Sequence, residues 1–178
     1  MASELRVDRI VPVDGVPTNG GGGIVQVVQA STNTFVTINS YTAYADTGLS
    51  ATITPKFATS KILVRTNHSV YGTASNNFFW GIRYLRDSTV IYNPIHNQTG
   101  TFEFGTAETG TSVTSRYWYD RCLPPDVLDS PNTTSAVTYK TQAKTNSSTA
   151  SGTVRFQYDD GNMVTPGSSY ITLMEISA

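Results

Sequence analysis

The sequence predicts an all-β protein, a jelly-roll-like sandwich of two sheets that carries an extended N-terminal arm. Three observations lead there. Strand-favouring Thr, Tyr, Val and Phe are plentiful while helix formers are sparse. Apolar and polar residues alternate with period two in short runs. Glycine, proline, asparagine and aspartate punctuate those runs at close spacing.

The arm comes first. Residues 1–19 hold Glu4, Arg6, Asp8, Arg9 and Asp14, and no charged residue then follows from Gly15 to Ala45. Within the arm, Leu5, Val7, Ile10 and Val11 give a strand-like apolar edge that can add to another protein's sheet. Residues 20–23 are four consecutive glycines, a loose joint. Residues 24–178 are expected to form the globular head.

Strands are expected over 24–31, 35–38, 49–55, 61–71, 78–86, 88–92, 112–121, 136–144, 153–158 and 169–177. The run 61–71 places Ile62, Val64, His68 and Val70 on one face against Leu63, Arg65, Asn67 and Tyr71. Phe78, Trp80, Ile82 and Tyr84 share a face with Arg83 opposite. Val137, Tyr139 and Ala143 point inward while Lys140, Gln142 and Lys144 point outward. Turns are expected at Thr47-Gly48, 73–77, Gly100, Gly105, Gly110, 159–162 and Pro166-Gly167, with a single helical turn at 124–128. About eight to ten short strands in one body fit two sheets of jelly-roll type.

The first and last strands are unusual. Ile24, Val25, Val27 and Val28 make the first apolar on both sides, and Ile171, Leu173, Met174 and Ile176 do the same for the last. Strands of that kind are buried on both faces or packed against another subunit. First and last strands lie adjacent in such sandwiches, so these eight residues are the expected subunit interface of a closed homo-oligomer.

Charge and chemistry exclude much. With 12 basic against 13 acidic residues there is no field to attract nucleic acid. No membrane insertion is expected, nor a signal peptide, because no long apolar run exists. The one cysteine, Cys122, excludes intramolecular disulfides and reads as a buried small hydrophobe.

His68 reads as a hydrogen-bonded core or interface histidine and His96 as a solvated loop residue. Asp159-Asp160 lacks calcium-loop spacing and reads as a hairpin turn. No cofactor or metal is expected. A depolymerase would need paired carboxylates, and Glu103, Glu108, Asp120 and Asp126 show no pairing. The chain is expected not to be an enzyme. Arg116, Tyr117, Trp118 and Tyr119 are the candidate glycan contact, since aromatic faces stack on sugar rings and arginine bonds hydroxyls. The plainer alternative is a core strand with Trp118 inside.

The stretch "SELRVDRIVPVDGVP", the glycine run and "IVQVVQ" resemble the start of small virion proteins of tailed bacteriophages, especially those of cyanobacteria. "ITPKFATSKILV" and "SSYITLMEIS" resemble other stretches of the same proteins, and the resemblance is weaker over 72–168. It implies a tail-fibre-like virion structural protein, made in the host cytoplasm, with a β-sandwich head that assembles as a homotrimer. Residues 1–19 would then dock on another virion protein of the tail, neck or capsid, and the head would contribute to adhesion to a host surface glycan. With no repetitive shaft, a short fibre, a spike or a capsid decoration fits better than a long tail fibre. A free carbohydrate-binding module would explain the aromatic residues but not the arm.

Overall fold

The computed structural model describes residues 23–40, 42–74, 78–93, 104–106, 116–145, 153–157 and 167–177. Among the described residues twelve strands follow one another, with no helix: β1 (Ile24–Thr32), β2 (Val36–Ile38), β3 (Ala45–Ile53), β4 (Lys61–Ala74), β5 (Phe78–Arg86), β6 (Thr89–Tyr92), β7 (Phe104–Thr106), β8 (Arg116–Cys122), β9 (Val127–Asp129), β10 (Val137–Thr145), β11 (Thr153–Phe156) and β12 (Ser169–Ile176). They form an antiparallel seven-stranded sheet and an antiparallel five-stranded sheet.

The winding follows from the pairings. On β4, β12 and β9 both pair at Ile62–Val64, so they flank it on opposite sides; β11 and β8 do so at Val70–Thr73. β1 pairs with β12 and β2 with β11. Only residues 33–35 join β1 to β2, too few to cross three strands at about 4.8 Å spacing. β11 and β12 therefore lie end to end on one side of β4, and β8 and β9 lie end to end on the other.

The first sheet is thus four rows, β1/β2, β12/β11, β4 and β8/β9. The second is β3, β10, β5 and β6/β7, because β6 and β7 both take the side of β5 that β10 leaves free. In chain order the rows run 1-8-3-6 in one sheet and 2-7-4-5 in the other. That is the jelly roll.

The core lies between the sheets. Ile62, Val64, Val70, Ile171, Leu173, Val154 and Phe156 from the first meet Ile53, Trp80, Ile82, Tyr84, Tyr139 and Ala143 from the second. Period-two alternation therefore located most inward faces correctly. Phe156 stands edge-on to both His68 and Trp80, at 5.3 and 5.9 Å between ring centroids. Thr66 and Tyr84 bridge the sheets by a buried 2.7 Å hydrogen bond between their hydroxyls.

Several expectations change. Thr47-Gly48 is a bulge inside β3, not a turn: Ser50 and Asp46 face Lys140 and Gln142, so β3 carries extra residues there. Gly48 takes φ 82° and Thr47 is buried against the Thr141 hydroxyl. β3 consequently begins at Ala45, earlier than its apolar residues suggest. Gly105 lies within β7. Tyr71 is buried, although alternation placed it outside.

The helical turn at 124–128 is replaced by strand β9, where Val127 packs against the core, Leu128 points out and Asp129 points in. An inward aspartate hides the alternation. It is held by partners: Arg86 Nη1 donates to both carboxylate oxygens (2.9 and 2.7 Å), and the Tyr139 hydroxyl donates to Oδ2 at 2.7 Å. β9 belongs to one sheet and the other two residues to the second, so this cluster clasps the sandwich at one edge. Burial first, then the Asp129 carboxylate, pushes the Tyr139 hydroxyl well above the ordinary tyrosine range.

The opposite edge is closed by Glu175, which alternation turns into the interior of β12. Gln26 Nε2 donates to it at 2.6 Å, and the amides of Lys56 and Phe57 donate at 2.8 and 3.2 Å. Burial alone would raise the carboxyl pKa. The hydrogen bonds outweigh it and hold the pKa below the ordinary value.

Two rows of the first sheet, β1/β2 and β12/β11, break at the same level, beside His68–Ser69 of β4. Gln157 stitches the break from a left-handed backbone, φ 55°. Its amide donates to Ser69 O at 3.0 Å, its side-chain nitrogen to Thr34 O at 2.9 Å, and its side-chain oxygen accepts from Ser169 Oγ. Gly167 packs so closely here that an added Cβ would collide with Ser69 Oγ and Cβ. Gly167→Ala should cost about 1–3 kcal/mol in urea denaturation, the range for overpacking. An unchanged midpoint would mean that the contact is looser than described.

Candidate functional site

The structure divides the predicted interface residues. β1 and β12 do pair, in register from Gln26↔Glu175 to Thr32↔Ser169. Their inward residues are core: Ile171 and Leu173 are 0% exposed within a single chain, and Val28 packs against the same cluster. Ile171 and Leu173 are thus removed from the candidate subunit interface, because a second chain cannot touch them. The sequence misread β12 because its inward side also carries Glu175, which leaves both faces looking alike.

The outward residues remain. Ile24, Val25 and Val27 are exposed at 61, 37 and 55%, and Met174 and Ile176 are half-buried on the same outer face. Two further apolar residues join them that sequence reading did not single out. Val27 lies opposite Met174, Met174 opposite Leu63, and Leu63 opposite Leu128, which is 51% exposed. One apolar row therefore crosses all four rows of the sheet. The alternation of β4 had placed Leu63 outward; Leu128 was lost with β9.

The rows beside it differ. Along Gln29, Thr172 and Arg65 the face is polar, with Gln29 Nε2 donating to Thr172 Oγ1 at 3.1 Å. Arg65 forks onto Asp126, with Nη2 2.6 Å from Oδ2. Asp126, weighed above as a catalytic carboxylate, is thereby an ion-pair partner of an arginine on an exposed surface.

The outer face of the second sheet is polar from β3 to β5 at Asp46, Lys140, Gln142 and Arg83, with Val90, opposite Leu85, exposed at its edge. Lys140 Nζ lies 3.0 Å from Asp46 Oδ2, Gln142 donates to the same carboxylate at 2.6 Å, and Arg83 donates twice to Gln142 Oε1. The Arg83 guanidinium also lies 4.0 Å from the centre of the Tyr44 ring.

His68 is core, but without the expected hydrogen bonds. It is 0% exposed and neither ring nitrogen has a partner. Burial lowers its pKa to about 3. Its cross-strand neighbour is Cys122, itself buried as the sequence suggests. Among the described residues, no group of three His, Cys, Asp or Glu side chains could hold a metal ion, and no helix is long and apolar enough to cross a membrane.

The candidate glycan residues Arg116, Tyr117, Trp118 and Tyr119 lie on β8, paired with Ala74 to Tyr71 of β4. Where their side chains point lies outside the described structure, as do Leu5, Val7, Ile10 and Val11 of the arm and the loop residues His96, Glu103, Glu108, Asp159 and Asp160. Gly23, assigned to the joint, is held to the body: its carbonyl accepts from Ser177 N at 3.0 Å.

No family model matches the chain, and no curated protein matches it. Among solved structures it is similar to a chain of "Structure of infectious bursal disease virus Gx strain", at 14% identity and a TM-score of 0.36. The match covers 94% of this chain and 43% of the viral one, so this chain spans less than half of that length.

Proposed function

We infer that this chain is a non-enzymatic virion structural protein of a tailed bacteriophage. It is a trimeric jelly-roll head that residues 1–19 anchor to the particle, and it contributes to host-surface adhesion. The observation that carries this reading is the completeness of the body without the arm. All eight rows of the sandwich come from residues 24–176, and the Gly23–Ser177 hydrogen bond closes the fold where the arm begins. A segment with a strand-like apolar edge can add to another protein's sheet. The quoted likeness of "SELRVDRIVPVDGVP" to phage virion proteins names the kind of partner.

The non-enzymatic reading is supported by what the described ionisable groups already do. Asp126 is paired, Asp129 and Glu175 hold the sandwich together, and His68 is sealed from solvent.

Deletion of residues 1–19 should leave the melting temperature and oligomeric mass of the body unchanged while abolishing incorporation into particles. An arm that orders on docking loses roughly 1–2 kcal/mol of backbone entropy per residue, so it must bind over much of its length. Truncated protein that still assembles onto virions would refute the anchor. Cryo-EM of the intact particle distinguishes a short tail fibre from a capsid decoration.

A further inference from the structure

The two outer faces of the sandwich differ in where their apolar residues lie, since on the second sheet exposed Val90, opposite Leu85, is confined to the edge strand. On the second sheet, Asp46, Lys140, Gln142 and Arg83 bond one another across the strands, as a solvated surface does. On the first, Val27, Met174, Leu63 and Leu128 lie directly opposite one another in sequence-distant strands, and Ile24 opposite Ile176 adds a second apolar pair. The ends of the row are more than half exposed. Cross-strand apolar rows on a face open to water lose the burial that would stabilise them.

We propose that the outer face of the first sheet, along the row Val27–Met174–Leu63–Leu128, is the surface on which a second copy of this chain packs. This rests on the trimeric-head reading above. Two observations select a second copy over a different partner.

The first is charge. The neighbouring Arg65 and Asp126 neutralise each other within the chain and Lys61, opposite Ile176, adds a single positive charge beside the row, so the face presents no strong field for an oppositely charged partner. A neutral, equally apolar surface suits it, and the chain itself carries one.

The second is where the chain leaves the body. Twenty-three residues precede Ile24, and Ile24 stands at the end of β1 beside the row. Packing by this face brings the roots of the arms together, so that one site on a particle can receive all of them. Threefold closure is heterologous, so the row of one copy meets a different patch on the next. The exposed β1 edge at Ile24 and Val25 is an apolar patch adjoining it.

The test is light scattering of the full chain at micromolar concentration, with Val27→Glu and Leu128→Glu in the row and Ser50→Glu on the opposite outer face. The expected result is a trimer for wild type and Ser50→Glu, and a threefold loss of mass with retained far-UV dichroism for the two row variants. Row variants that stay trimeric would overturn this face and leave the trimeric head standing. A monomeric wild type would overturn both. Should the row variants not fold, hydroxyl-radical footprinting of wild type decides. Met174 should be protected at trimer-forming concentration and oxidised several-fold faster on dilution, and equal oxidation would overturn the proposal.

Discussion

The wild-type chain should lose about 1.4 kcal/mol of stability for each pH unit below about 6.5, continuing toward pH 3. His68 is the cause. Buried without a partner on either ring nitrogen, it stays neutral in the fold until about pH 3. In the unfolded chain it takes up a proton near its ordinary value of 6.5. Between those values the unfolded state binds more protons, so stability rises with pH. The stability is whole above the unfolded pKa and is lost as pH falls through the window.

Glu175 and Asp46, whose pKa values are lowered, also favour the fold at higher pH. Their contributions fade only below their ordinary values of 4.5 and 3.8. The interval from pH 5 to 6.5 therefore reports on histidine. Urea denaturation across it should show the slope in wild type and its loss in His68→Leu, which removes two orphaned polar atoms at similar volume. A wild-type stability flat over that interval would show that His68 is solvated or paired, and a slope that survives His68→Leu would show that another group causes it.

The second large effect is expected from Asp129→Ala. The carboxylate lies between Arg86 and the Tyr139 hydroxyl, with side-chain exposures of 11% for Asp129 and 22% for Arg86. Removing one member of a buried pair costs about 3–5 kcal/mol, because the remaining charge stays desolvated and unpaired. Arg86 keeps a contact with Ser130 O at 3.2 Å and some exposure, which places the expected loss near the lower end. Tyr139→Phe should cost only about 1 kcal/mol, the net value of one hydrogen bond. Chemical denaturation of both variants separates the two terms. If Asp129→Ala costs no more than Tyr139→Phe, the ion pair is not what clasps the edge.

Where strands alternate apolar and polar residues, as at Lys61–Val70 and Val137–Lys144, the sequence alone determined both the element and its inward face. Burial in a two-sheet fold acts on every second residue, and that rule is local. The adjacency of the first and last strands was legible as well, as an end effect.

Only the tertiary structure decided the rest. Glu175, Asp129 and Thr47 face inward because donors from distant strands meet them, and no local pattern announces a satisfied buried polar group. Gly48 signalled a turn, yet pairing of β3 with β10 absorbs it as a bulge. The apolar row exists only once β1, β12, β4 and β9 lie side by side, since its four members come from four separate parts of the chain. Period two tells which way a side chain points. Register, a property of the paired strands, tells what it stands beside.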